Sequence, residues 1–118
     1  MAAGLLKGET VDFVDVDPYG DPWPTIRAFL RSGRQLAPRT VMAVNDGLRR
    51  GVKMGTAWKY NSLRSAVREF GHDLHDTYLD ACRFMMDAEA REAGCALAGF
   101  EGFYAGHARQ MTHYYAVL

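Results

Sequence analysis

The chain has 118 residues, 48% of them hydrophobic and 24% charged, which is the balance of one ordinary globular domain. Its 14 Lys and Arg match its 14 Asp and Glu, so overall charge gives no sign of a nucleic-acid-binding tail and leaves any polyanion site to local clustering. No stretch approaches the roughly 20 apolar residues that span a bilayer, and the segment from Met1 to Lys7 is too short in apolar residues for a signal peptide. A cytoplasmic protein with no membrane partner is expected.

In chain order, Val11 to Val16 reads as a buried strand rich in Val and Phe, interrupted by Asp12 and Asp15. Asp17-Pro18-Tyr19-Gly20 closes it. Pro18, Pro22 and Pro24 forbid a helix before about Trp23. From Pro24 the spacing of Ile26, Phe29 and Leu30 predicts a helix that stops by Gly33, with Arg27, Arg31 and Arg34 toward solvent. Thr40 to Val44 is a second short buried strand, ended by the turn residues Asn45-Asp46-Gly47.

A basic stretch from Gly47 to Lys59 follows, with Arg49, Arg50, Lys53 and Lys59 beside Trp58 and Tyr60. Tyr60, Leu63, Val67 and Phe70 have helical spacing up to Gly71. A longer helix is expected from about Asp73 to Glu92, with Leu74, Tyr78, Cys82 and Met85 on one face and Gly94 as its stop. Cys95–Tyr104 and Met111–Leu118 read as the two strands of an antiparallel hairpin. The two earlier strands, joined through a helix, should be parallel with a right-handed crossover. The expected fold class is therefore α/β, with two parallel strands, a C-terminal antiparallel hairpin and flanking helices.

Cys82 and Cys95 lack the spacing of a zinc ribbon or redox motif and read as core thiols. His72-Asp73-x-His75-Asp76 places two imidazoles near each other without a third ligand at a recognisable spacing. It reads as a solvated helix start, not a metal site. His107 and His113 flank the hairpin as surface or strand residues. The aromatics Phe100, Phe103, Tyr104, Tyr114 and Tyr115 read as sheet packing. The basic cluster after the second strand is either a phosphate-contacting rim or a solvated loop with Trp58 in the core.

This order of elements, with Asp15-Val16-Asp17-Pro18-Tyr19-Gly20-Asp21-Pro22 after the first strand, resembles the C-terminal half of a Rossmann-like S-adenosylmethionine-dependent methyltransferase. The local motif is most similar to the tRNA guanine N2-dimethyltransferases, whose catalytic loop resembles Asp-x-Asp-Pro-Tyr-Gly followed by a Pro. The resemblance implies that Val11–Asp17 corresponds to the fourth strand of that fold and Thr40–Asn45 to the fifth. The hairpin then inserts its last strand beside the fifth. It also implies catalytic roles for Asp17, Pro18 and Tyr19. The Asp17 carboxylate and the Pro18 carbonyl would accept the N–H groups of an exocyclic amine, and Tyr19 would stack on a base flipped out of any duplex. Asn45, Asp46, Arg49, Arg50 and Lys53 would bind the substrate. The other reading of Asp-Pro-Tyr-Gly is a plain strand-ending turn, since these residues favour turns.

The resemblance implies S-adenosylmethionine as cofactor, yet the Gly-rich loop after a first strand and the acidic end of a second have no carrier here. Gly47, Gly51 and Gly55 follow no such strand and read as loop glycines. The expectation is one domain over 1–118 that lacks the N-terminal cofactor-binding half and binds S-adenosylmethionine poorly alone. Two functions compete. One is a truncated or split methyltransferase acting on an exocyclic amine of an RNA or DNA base once a partner half completes it. The other is a non-catalytic binding or regulatory descendant, of the kind phages and mobile elements carry. In either, residues 11–16 form an exposed apolar edge that should be covered by self-association, by Ala2–Leu6 or by a complementary polypeptide.

Overall fold

The computed structural model describes residues 11–17, 20–32, 36–54 and 61–118. The chain runs β1 (Val11–Val16), α1 (Trp23–Leu30), β2 (Leu36–Asp46), α2 (Arg49–Lys53), α3 (Arg64–Phe70), α4 (Tyr78–Glu92), β3 (Gly99–Ala105) and β4 (Met111–Val117). Short 3₁₀ turns at Asn61–Leu63, Gly71–Asp73 and His107–Arg109 punctuate it. The fold is α/β, with one sheet of four strands in the order β1-β2-β4-β3. β1 and β2 are parallel, as a helical connection requires, and β4 lies antiparallel between β2 and its hairpin partner β3. Among the described residues no helix is long and apolar enough to cross a membrane.

Period-two alternation places Val14 and Val16, Met42, Val44 and Asp46, and Thr112, Tyr114 and Ala116 on one face of the sheet, and all are buried. The helices cover that face. Trp23 and Ile26 of α1, Ala66 of α3, and Tyr78, Ala81, Cys82, Met85 and Met86 of α4 join the strands in a single core. The ring of Tyr114 sits at its centre, stacked on Trp23 at 6.2 Å and tilted against Phe100 at 5.2 Å. Arg27 and Arg31 lie on the solvent side and pair with Glu89 at 2.9 and 3.3 Å, and Arg31 also pairs with Glu92, so ion pairs join α1 to α4. Both cysteines are free, with Cys82 buried.

On the other face Phe13, Phe103 and Tyr115 are exposed, so the described residues leave that side of the sheet open. β1 is paired only through β2 among the described residues, and Ala2–Leu6 lie outside them. Close packing on the covered face explains Gly102. A Cβ there would stand 2.6 Å from Leu79 Cδ2 and 2.7 Å from the His113 carbonyl oxygen, so β3 approaches α4 only because this residue has no side chain.

Several boundaries differ from the expected ones. β2 begins at Leu36 rather than Thr40, with Pro38 in the stretch where the ladder shifts register between Val11–Leu36 and Phe13–Val41. The interruption accommodates a residue with no N–H to donate. The last helix begins at Tyr78, not Asp73, because Gly71 has a φ of 57° and a 3₁₀ turn occupies Gly71–Asp73. β3 starts at Gly99, so Cys95–Ala98 lies outside the ladder, tied on by the Ala98 N–H donating to the Val117 carbonyl at 2.7 Å.

Candidate functional site

Parallel strands direct their following loops to one end of a sheet, and ligand clefts in α/β folds open there. Asp17 follows β1 and Gly47 follows β2. The two connections touch. The Gly47 N–H donates to the Gly20 carbonyl at 3.0 Å, and a Cβ on Gly47 would lie 3.4 Å from Gly20 Cα. Gly20 has a φ of 92°, a conformation that favours glycine. Asp21 fixes the rest of this loop, its carboxylate accepting the Trp23 N–H and the Ser62 hydroxyl, each at 2.9 Å.

Above this floor lies an open cleft of about 960 Å³, at the upper end of the range that encloses small ligands. Asp17 and Gly20 contribute one side. Arg50, Lys53 and Met54 come from α2 and the turn after it, and His107, Ala108 and Gln110 from the tip of the β3–β4 hairpin. Asp17, Arg50 and Lys53 are exposed, and none forms an ion pair with another described residue. Among the described residues the cleft thus presents one carboxylate and two cations that lack an ion-pair partner, together with the His107 ring.

The sequence-expected residues divide here. Asp17, Arg50 and Lys53 line the cleft. Pro18 and Tyr19 lie outside the described residues, as do Gly55, Trp58, Lys59 and Tyr60 of the basic stretch. Asn45 lies on the open face of the sheet, hydrogen-bonded to the His113 ring. Asp46 and Arg49, expected on a substrate rim, are interior.

Asp46 is fully buried. Its Oδ1 accepts the Leu48 N–H at 2.8 Å, its Oδ2 accepts the Tyr114 hydroxyl at 2.9 Å, and the Tyr78 hydroxyl sits 3.0 and 2.9 Å from the two oxygens. The Cys82 thiol lies 3.7 Å from Oδ2. Burial raises the Asp46 pKa from 3.8 to about 6, against the hydrogen bonds that lower it, because removing a carboxylate from water penalises its charge most. Burial and the neighbouring acid push the Tyr78, Tyr114 and Cys82 pKa values well above their usual range. This network ties β2, α4 and β4 together behind the cleft.

Arg49 is also buried. Its Nε donates to the His75 carbonyl at 3.1 Å, one terminal nitrogen donates to the Arg109 carbonyl at 2.8 Å, and the guanidinium lies 3.5 Å over the Tyr104 ring.

The hairpin-tip residues His107 and Gln110 were not expected at the site. Only the insertion of β4 beside β2 brings them opposite α2. No group of three or more His, Cys, Asp or Glu among the described residues is placed to hold a metal.

Among the described residues the lining fits S-adenosylmethionine poorly: the sulfonium cation and the ribose of that cofactor want acidic partners, and Asp17 is the one carboxylate beside Arg50, Lys53 and His107. The sequence matches no protein-family model and no curated protein.

Proposed function

We propose that this cleft is the substrate side of a methyltransferase-like nucleic-acid-modifying protein. It takes a base bearing an exocyclic amine, with Asp17 accepting an amine N–H and Arg50 and Lys53 meeting phosphates. The observation that carries the reading is the cleft itself, in which a carboxylate just after one parallel strand shares a cavity with cations following the next, none of them ion-paired among the described residues. The sheet order β1-β2-β4-β3 supports it, since the resemblance expects the last strand inserted beside the second of the parallel pair. Pro18 and Tyr19 keep the orienting and stacking roles that the resemblance gives them.

The cofactor of this reading is S-adenosylmethionine, which supplies a methyl group and belongs to a complementary half. Residues of this chain orient the amine and hold the strand. A homo-oligomer or a complementary polypeptide meets β1. Sedimentation reads this directly, and a monomer in which the β1 edge exchanges its amides freely would count against it. The alternative is a non-catalytic binding or regulatory protein, which the poor fit of the cleft to the cofactor favours.

Nucleotide selectivity tests the amine assignment. At least one of the adenosine, cytidine or guanosine monophosphates should bind about tenfold more tightly than inosine or uridine monophosphate, which lack the amine. Asp17→Ala should remove that preference while leaving the weak phosphate-driven affinity in place. Equal binding of all five by the native protein would sink the assignment. Calorimetry with S-adenosylmethionine separates the two readings. Micromolar binding by this chain alone would overturn the non-catalytic one, and methyl transfer restored by a second polypeptide would establish the split enzyme.

A further inference from the structure

The tip of the β3–β4 hairpin forms one wall of the cleft, and its backbone is strained. Ala108 and Arg109 follow one another at φ 54° and 56°, a left-handed conformation that costs residues with a Cβ. Within the tip, the Arg109 N–H donates to the Gly106 carbonyl at 3.1 Å and the Gln110 N–H to the His107 carbonyl at 3.3 Å. The Gln110 side-chain amide also donates to the Ala108 carbonyl at 3.1 Å, but three such bonds on an exposed loop do not by themselves hold two unfavourable residues in place.

Among the described residues, Arg49 holds the tip from outside. Its guanidinium spans the Arg109 carbonyl of the tip and the His75 carbonyl before α4, with its flat face on Tyr104. Tyr104 is itself anchored, its hydroxyl oxygen accepting the Leu79 N–H at 3.0 Å. Arg49 therefore joins α2, the segment before α4, β3 and the tip through one rigid fork. A lysine cannot reproduce this, because a point ammonium neither stacks in the same way nor serves two carbonyls in fixed directions.

We propose that Arg49 is a positioning residue that holds the hairpin tip in its strained form, so that His107 and Gln110 stand opposite Arg50 and Lys53 before any ligand arrives. Arg50 and Lys53 belong to the same helix as Arg49, so one short element both presents the cations and sets the wall across from them. Preorganisation of this kind spares a ligand the cost of ordering the loop. That the ligand is a nucleic-acid strand rests on the function proposed above; the clamp is read without it.

Amide hydrogen exchange and oligonucleotide binding test the two parts separately. In Arg49→Lys, protection of the Arg109 and Gln110 amides should fall about tenfold while amides of α4 and β2 keep theirs. Adding Ala108→Gly to that variant should recover about fivefold of the loss, since glycine relieves the left-handed strain. Affinity for a short single-stranded oligonucleotide should fall about tenfold in Arg49→Lys, with Arg50 and Lys53 untouched. Unchanged tip protection in Arg49→Lys overturns the proposal. So does a loss of tip protection in Ala108→Gly made on the native background, a variant that does not depend on whether Arg49→Lys folds. If the native protein fails to bind the oligonucleotide, the nucleic-acid reading fails and the exchange data still decide the clamp.

Discussion

Replacing Asp46 by alanine should destabilise the protein by about 3 kcal/mol or more, because four buried donors, the weak Cys82 thiol among them, lose their acceptor at once. The Leu48 N–H and the Tyr78 and Tyr114 hydroxyls all point at this carboxylate, and both tyrosines are fully buried. Asp46 also makes stability depend on pH in an unusual direction. Its folded pKa stands at about 6 against 3.8 for the free side chain, so the folded state binds the proton more tightly than the unfolded chain. The stability it contributes is fully present below about pH 4 and is lost as pH rises through about 6. The loss is on the order of 3 kcal/mol, since each tenfold change in proton affinity is worth about 1.4 kcal/mol. Asp46→Asn keeps the size and one acceptor oxygen and cannot ionise. Urea denaturation across a pH series should therefore give a difference curve, native minus Asp46→Asn, that falls between those limits and is flat above them. Parallel curves would show that Asp46 titrates normally.

The second large effect concerns the cleft. Arg50→Ala together with Lys53→Ala should weaken single-stranded RNA or DNA binding by roughly 10- to 100-fold and leave unfolding within about 0.5 kcal/mol of native. Both side chains are exposed and unpaired among the described residues, so their loss should register in binding and not in stability. The plot of log affinity against log salt should lose about 1.4 of its slope, near 0.7 for each phosphate no longer neutralised. An unchanged slope would remove both residues from the interface. The asymmetry with Arg49 is informative, because its position beside them in sequence hides an opposite role.

The parts of the fold carried by local pattern were legible in the sequence. The Val-Phe run of β1, the prolines that delay α1 and the two apolar segments of the hairpin each announce themselves within a few residues. The boundaries that shifted depend on tertiary pairing. β2 extends back to Leu36 because β1 offers it a partner, and β3 waits until Gly99 because β4 pairs no further. Asp46 was misplaced on the rim because it sits among turn residues. Its parity with Met42 and Val44 was the available signal, since Thr40, Met42 and Val44 are buried on the face that the helices cover. Nothing local marks Arg49 as interior, because its partners are the distant carbonyls of His75 and Arg109. His107 and Gln110 reach the cleft through strand order, which no spacing in the sequence encodes.

A nucleic-acid strand should bind in the cleft at the ends of β1 and β2. Backbone amide shifts recorded while a short single-stranded oligonucleotide is titrated into the native protein test it most directly. Shifts should concentrate at Asp17, Gly20, Gly47, Arg50, Lys53 and the tip residues His107–Gln110. Shifts confined to the open face around Phe13, Phe103 and Tyr115, or none at saturating oligonucleotide, would contradict the claim.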